Sequence, residues 1–534
     1  MNPIKQRKKL RWFLASGKVM LLAVLLGVTG TMRGHGAGTT TAGGKSSPQS
    51  SSQNAHPDDD SKVYDASKFD SLQAAIDAAI AAGVSTVVVP EGRYTGRVVI
   101  HGALKLDCVS RQSILTIADG ADTNVIEVAL GISDVAIVNC TIAGNGSKQT
   151  ANSNGIDLAG RNANILIDNV AVSDTRTDGI HVHLASPPKF INQNITVRQS
   201  LLSNCGSACL VIRDTQGLWI TKNSFNNWGV NKANNDAIAV GGLNTNVHIN
   251  GNTGVTLSSR FFFMESSAPG WMQVITGGDI SDNTITSSPN GTSAATGFSG
   301  YFFDTTFTRN TLIATGATHA CGPYSGFEME GSNLNVVGNR VVNGAIMITS
   351  YGKGKAVNIT VDGNTIIDSC TYNGWAAISV GRSLIGPPTN TRILHNLIDL
   401  TGIAKVPGGT YASGISIGDS DGASGSVLGF TVEGNTILMN GNATAPAIAF
   451  SGTDPKGTPT PMCGSSPSQC VVTGGEIDNN RILSPNAAAI GLVWYADGAA
   501  VSGLFIHNND LRGSKSGISL GAATDVQQRE NRLR

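Results

Sequence analysis

A short phrase of apolar and polar positions recurs along most of the chain: apolar-x-apolar-x-x-Asn-x-apolar. It reads Ala136-Ile137-Val138-Asn139-Cys140-Thr141-Ile142, then Ile165-Leu166-Ile167-Asp168-Asn169-Val170. Later copies are Ile220-Thr221-Lys222-Asn223, Ile249-Asn250-Gly251-Asn252 and Ile280-Ser281-Asp282-Asn283, and others place Asn310, Asn339, Asn364, Asn396, Asn435, Asn480, Asn509 and Asn531. From Asn223 onward the copies fall about 22 to 45 residues apart, within the range of a solenoid repeat. Alternating Ile/Val and polar residues predict strands with one face inside the solenoid. Asn suits the left-handed backbone of a sharp bend, and stacked Asn side chains can bond from coil to coil. A β-propeller repeats at a similar length, but it needs four strands per blade and its own motif, which is absent. Before the first coils, Phe69 to Ala82 place Leu72, Ile76 and Ile80 at helical spacing, just ahead of a strand over Thr86 to Val89. That helix predicts a cap for the open end of the solenoid.

A second phrase follows about half a coil after each Asn. It reads Gly155-Ile156-Asp157-Leu158 and Gly179-Ile180-His181-Val182, then Cys209-Leu210-Val211-Ile212, Ala237-Ile238-Ala239-Val240 and Gly326-Phe327-Glu328-Met329. Aligning Phe262-Phe263-Met264-Glu265 and Tyr301-Phe302-Phe303-Asp304 with it gives two outward columns. One holds Asp157, His181, Val211, Ala239, Phe263, Phe302 and Glu328; the other holds His183, Arg213, Glu265, Asp304 and Glu330. Strands of successive coils lie about 4.8 Å apart, so Glu265, Asp304 and Glu330 are expected to form a vertical run of carboxylates. Like charges on neighbouring strands repel, which points to a ligand or metal, although a solvated polar face would carry the same letters. His181, His183 and Arg213 stand at one end of this stripe, with Asp178 just before its strand. Asp157 faces the same stripe as a substrate contact, and Phe263, Phe302 and Trp271 are candidates to stack on sugar rings.

Composition sharpens the class. Gly is 65 of 534 residues and charged residues are only 14%, which fits strands broken by frequent tight turns. Lys+Arg 37 balances Asp+Glu 37, so no net charge favours nucleic acid or an anionic membrane. At the N-terminus Lys5, Arg7, Lys8, Lys9, Arg11 and Lys18 precede an apolar run from Val19 to Val28, with small residues at Gly36, Ala37 and Gly38. This has the shape of a secretory signal over residues 1–38, or of an uncleaved anchor, the one expected route to a membrane. The location expected is therefore secreted, periplasmic or at the cell surface. Residues 39–62 are Ser, Thr, Gly, Gln and Pro without apolar period, a linker composition. The β-helix domain is expected over 63–534. Eight cysteines suit an oxidising compartment. Cys205 and Cys209 are close, as are Cys463 and Cys470, while Cys321 and Cys370 fall on coils that could neighbour; the others read as buried thiols.

Ser71-Leu72-Gln73-Ala74-Ala75-Ile76, followed by Val87-Val88-Val89-Pro90-Glu91-Gly92-Arg93-Tyr94, resembles the opening of pectate-lyase-superfamily β-helices. The later coils resemble that superfamily's repeats, and together they cover roughly residues 65 to 534. The resemblance implies an all-β, right-handed parallel β-helix with an N-terminal capping helix. It says little of activity, because the superfamily holds lyases, hydrolases, epimerases, phage spikes and adhesins. Thr177-Asp178-Gly179-Ile180 resembles the Asn-Thr-Asp-Gly segment of polygalacturonases, which implies a catalytic acid at Asp178. That family's Gly-Asp-Asp is Gly206-Ser207-Ala208 here, its Arg-Ile-Lys is Met347-Ile348-Thr349, and its Gly-His-Gly is missing.

Three chemistries fit an acid-lined face: retaining hydrolysis with carboxyls about 5 Å apart, inversion with about 6.5–9.5 Å, or proton abstraction beside a sugar carboxylate. In the last, Ca²⁺ on Glu265, Asp304 and Glu330 would neutralise the uronate, and Arg213 or a histidine would take the proton. The partner expected is an acidic polysaccharide, cleaved or epimerised; a non-catalytic glycan-binding or adhesive solenoid remains open.

Overall fold

The computed structural model describes residues 63–533 except 184–190, 232–235, 257–262, 266–273, 288–296, 315–325, 351–353, 370–375, 384–385, 403–412, 420–425, 451–470, 493–499 and 522. The basic and apolar N-terminal run, the linker, Trp271, Cys321, Cys370, Cys463 and Cys470 lie outside the described residues. No helix among the described residues is long and apolar enough to cross a membrane.

The chain winds through three stacks of strands. The first face runs from Val98–Ile100 through Ile126–Val128, Ile156–Leu158, Ile180–Val182 and Leu210–Arg213 to Ser516–Ser519. The second runs from Val63–Asp65 to Thr524–Arg529, and the third from Gly92–Thr95 to Arg481–Leu483. Strands of each face pair parallel with those of the coil before and the coil after. The first two faces merge into one 31-stranded sheet, while the third is a separate sheet of 14 strands. The merger comes where Gly297–Phe303 and Gly326–Val337 each pass from the first face to the second without interruption, pairing with each other across the bend. Gly331 sits at that bend with φ +127°, where a Cβ would lie 1.8 Å from the Phe302 carbonyl oxygen. This is a right-handed parallel β-helix, the hand that parallel crossover connections almost always take.

The recurring asparagines are its spine. Asn223, Asn252, Asn283, Asn310, Asn339, Asn364, Asn396, Asn435, Asn480, Asn509 and Asn531 stack at one corner, all but the last fully buried. Asn339 is representative. Its backbone N–H and Nδ2 donate to Asn364 Oδ1 at 2.8 and 3.0 Å, and Nδ2 also donates to the Phe307 carbonyl at 2.9 Å. Its own Oδ1 accepts from Asn310 N and Nδ2 at 2.9 and 3.0 Å. The left-handed role expected for these residues belongs to their predecessors. Lys222, Asp282, Arg309, His395, Asn479 and Asn508 have φ between 51° and 58°, whereas the ladder asparagines have no positive φ. The early copies Asn139 and Asn169 are themselves in the left-handed position. There the ladder site is held instead by Cys140, Val170 and Ser200, and Ser200 N–H donates to Asn223 Oδ1 at 3.0 Å.

Inside, the second phrase of each coil, on the first face, makes a stack of Ile126, Ile156, Ile180, Leu210, Ile238, Met264, Phe298, Phe327, Ile346 and Ile378, all at most 1% exposed. Phe263 and Phe302, expected to stack on sugars, belong to this core and are 0% exposed. Phe263 packs edge-on to Phe225 and Phe298, and Phe302 packs edge-on to Phe307. The outward alignment fails because Met264 pairs with Ile238 and Phe298 pairs with Met264. Phe263 therefore falls before its strand and Phe302 falls past the outward positions.

The cap is the helix Leu72–Ala81, begun by Ser71, whose Oγ accepts from Ala74 N–H at 3.1 Å. It buries Leu72, Ala75, Ile76 and Ala79. Gln73 closes the free edge of Val98–Ile100, the strand that opens the first face: Val99 N–H donates to its Oε1 at 2.7 Å and its Nε2 donates to the Val99 carbonyl at 3.0 Å. An uncovered edge would offer those groups to another chain. Cys205 and Cys209 form a disulfide, and so do Cys108 and Cys140. The latter pair, read above as buried thiols, ties two coils together below the asparagine ladder.

Replacing Asn339 with Leu keeps its size but strands Asn310 N–H, the Asn310 amide and the Phe307 carbonyl in the interior. The expected cost is about 3 kcal/mol or more, read as a lower urea midpoint. By contrast Asn333→Gly, at an exposed left-handed corner with φ 56°, should change stability by less than about 0.5 kcal/mol.

Candidate functional site

Outward positions on the first face gather one compact polar cluster. Ile156–Leu158 and Ile180–Val182 pair with Asp157 opposite His181. Alternation sends Ile156, Leu158, Ile180 and Val182 inward and both polar residues outward. His183 lies just past the strand, where its N–H donates to the Leu158 carbonyl at 2.9 Å. Two residues on from His181 it shares the same side, and the two imidazoles stack with centroids 4.2 Å apart. Arg213 follows on the next rung, two residues past Val211, which pairs with His181.

Each imidazole is held by one carboxylate. Asp178 Oδ2 lies 2.8 Å from His181 Nδ1, and Asp157 Oδ1 lies 3.0 Å from His183 Nε2. Both aspartates are buried, so both need further donors. Asp157 accepts from Asn154 Nδ2 at 2.8 Å. Asp178 Oδ1 accepts from Ala208 N–H at 3.1 Å. That amide comes from the tight corner closed by the Cys205–Cys209 disulfide. Asn154 also accepts from Thr177 Oγ1 at 2.6 Å and from Asp178 N–H at 3.0 Å, joining the two carboxylate systems. The corner tolerates no side chain at Gly179, where a Cβ would lie 2.5 Å from the Cys209 carbonyl oxygen.

Protonation follows from these contacts. The hydrogen bond to Asp157 raises the His183 pKa above 6.5; partial burial opposes it, the Asp157 charge adds to it, Arg213 opposes it and Asp178 adds again. His181 carries its donor at Nδ1, because the Asp178 carboxylate only accepts. Its Nε2 is buried and has no hydrogen-bond partner among the described residues. Among the described residues no carboxylate forms an ion pair with Arg213.

The expected carboxylate wall does not form. Glu265 pairs with Ala239 and Ser299, and Ser299 pairs with Glu328. Glu265 and Glu328 therefore share the column of His181, three and five rungs further along. Ser299 Oγ donates to Glu328 Oε2 at 3.2 Å. Glu330 pairs with Tyr301 and is buried. Asp304 has φ 50° and lies on an exposed corner, where Asn333 Nδ2 donates to its Oδ1 at 2.8 Å. It is a bend residue in a surface amide column and not the rung between Glu265 and Glu330, since Ser299 pairs with Glu265 and Tyr301 with Glu330. Trp271 lies outside the described residues. The sequence reading missed Asn154 and Thr177. Asn124, which accepts from Asn154 N–H at 3.0 Å, precedes Val125-Ile126 as Asn154 precedes Gly155-Ile156, and that recurrence was the available signal.

No protein-family model matches the chain, and no curated protein matches it. Among solved structures it is similar to the A-module of a mannuronan C-5 epimerase from Azotobacter vinelandii, at 15% identity and TM-score 0.31, covering 88% of this chain and 99% of that one. It is similar to a PL6 alginate lyase solved with a trisaccharide, at 13% identity and TM-score 0.35, covering 88% of each chain. A third is bacteriophage phi29 gene product 12, at 12% identity and TM-score 0.45, covering 88% of this chain and 73% of that one. Likenesses this distant concern coiled-strand architecture and carry nothing about chemistry.

In chelator-treated buffer, imidazole NMR should place the His183 pKa above 6.5, and Asp157→Asn should bring it down. The pair's contribution to stability is complete below the ordinary imidazole value and fades as pH rises through the elevated one. An unchanged His183 titration in Asp157→Asn would contradict the pairing.

Proposed function

We propose that this chain is an exported enzyme that processes an acidic polysaccharide on the first face of its β-helix, by proton transfer at the carbon beside a sugar carboxylate. The observation that supports this most is the convergence of two carboxylate-held imidazoles and Arg213 on adjacent rungs. Arg213 suits the uronate carboxylate, because a guanidinium binds a carboxylate through two parallel hydrogen bonds. The Asp157–His183 pair suits the proton, since imidazole is the commonest general acid or base and the hydrogen bond to Asp157 raises its pKa. Asp178 and His181 position the rim of the site. Both aspartates are already engaged by imidazole and amide donors, which favours proton abstraction over hydrolysis by a pair of free carboxyls. Abstraction at C5 followed by loss of the C4 oxygen yields an unsaturated uronate; reprotonation from the opposite side yields the epimer.

Export rests on the basic and apolar order of residues 5–28. The open strand face suits an extended chain, which can lie across several rungs.

Purified protein should be offered alginate, pectin and related uronate polymers. Absorbance by unsaturated uronates marks elimination, proton NMR of the sugar marks epimerisation, and reducing ends without unsaturation mark hydrolysis. On the responsive polymer His183→Ala should lower kcat about 10²–10⁴-fold, and Arg213→Ala should act mainly on KM. Hydrolysis products alone, polymer binding without turnover, or full activity in His183→Ala would each overturn the reading.

A further inference from the structure

Asp157, His181 and His183 have a feature that proton transfer does not use. One ligand atom from each lies within 4.8 Å of the others. A His-x-His pair on a strand puts both rings on the same side, and the neighbouring rung brings Asp157 beside them. We propose that these three residues bind a single divalent transition-metal ion of the zinc class. This goes beyond the proposed function and does not depend on it.

Two independent observations support the assignment. The first is His181 Nε2, which is buried and has no hydrogen-bond partner among the described residues. A buried polar atom left unpaired is costly, and a bare imidazole nitrogen is the form that ligates metal. The second is the outer layer of contacts. Metal-bound histidines almost always give their other ring N–H to a carboxylate or carbonyl, and Asp178 Oδ2 lies 2.8 Å from His181 Nδ1. Asp157, the oxygen ligand, is oriented by Asn154 Nδ2 at 2.8 Å. Asp178 is itself fixed by the Ala208 amide, so the support reaches back to the backbone.

Ligand chemistry selects the ion. Two imidazoles and one carboxylate suit Zn²⁺, Co²⁺ or Ni²⁺, whereas Ca²⁺ prefers six to eight oxygens. Three protein ligands leave one tetrahedral position for water or a substrate oxygen. His183 is half-exposed, with a side-chain accessibility of 45%, which leaves an entry path. The ion would sit between His183 Nε2 and Asp157 Oδ1, in place of the 3.0 Å contact they make with each other. Ion-loaded and ion-free protein are therefore two states with different chemistry at one site.

The test is calorimetric titration of untagged, chelator-treated full-length protein with ZnCl2, with thermal unfolding in parallel. One Zn²⁺ per chain, a raised Tm and a much weaker response to Ca²⁺ are expected. His183→Ala and His181→Ala should each abolish this binding, and Asp178→Asn should weaken it about 10–100-fold by removing the outer contact. Circular dichroism identifies any variant that fails to fold, and His183→Gln then serves as the milder replacement. The visible spectrum of the Co²⁺-loaded protein should show tetrahedral bands that His183→Gln removes. Absence of binding, or binding that survives loss of either histidine, would overturn the inference. Neither readout needs a polysaccharide, so this can fail while the proposed function stands, and the reverse.

Discussion

Every coil of this protein is held in register by the coil on either side, because a parallel strand must take its hydrogen bonds from its neighbours. The ladder from Asn223 to Asn531 makes that register hard to shift. Each rung donates both its backbone N–H and its amide to the next rung and its amide to a carbonyl of the coil before. A slip of one residue would strand several buried groups at once, each worth about 1–3 kcal/mol. Variation in coil length is therefore displaced into the loops: Asn435 and Asn480 are 45 residues apart in sequence, yet their side chains are 2.9 Å apart.

The polar cluster depends on that rigidity. Asp157 meets the histidines only because its coil is stacked directly beneath theirs, and Asp178 is held by an amide from the coil above. Three successive coils thus contribute to one site, with the Cys205–Cys209 disulfide closing the corner that supplies the Ala208 amide. The arrangement raises the pKa of the His183 imidazole beside Asp157 and leaves His181 Nε2 without a hydrogen-bond partner among the described residues. That asymmetry is the common ground of the two proposals, proton transfer to a uronate and capture of a divalent ion.

How much of this was legible varied with the strength of the local pattern. The solenoid, its cap and the Asp157, His181, His183 and Arg213 neighbourhood could be read because Gly-Ile-Asp-Leu and Gly-Ile-His-Val align without ambiguity. The acid wall could not, because Phe262-Phe263-Met264 is apolar at three successive positions and alternation there fixes no register. Tyr301-Phe302-Phe303 has the same fault, and it drew attention from Gly297-Phe298-Ser299, the true counterpart of Gly326-Phe327-Glu328. Asp304 looked like a rung and is a bend, since Asp shares with Asn the tolerance for positive φ. The Cys108–Cys140 bond and the Asn154 bridge depend on which coils touch, which no single stretch of sequence states.

Disulfide trapping tests the stacking register most directly, since it reads which side chains face each other across coils. Tyr301→Cys with Glu330→Cys places thiols on directly paired positions, and the account predicts a cross-link on mild oxidation, mapped by mass spectrometry. Asp304→Cys with Glu330→Cys, adjacent only if the acids form a wall, should stay reduced. Cross-linking of the second pair and not the first would contradict the stacking of these coils.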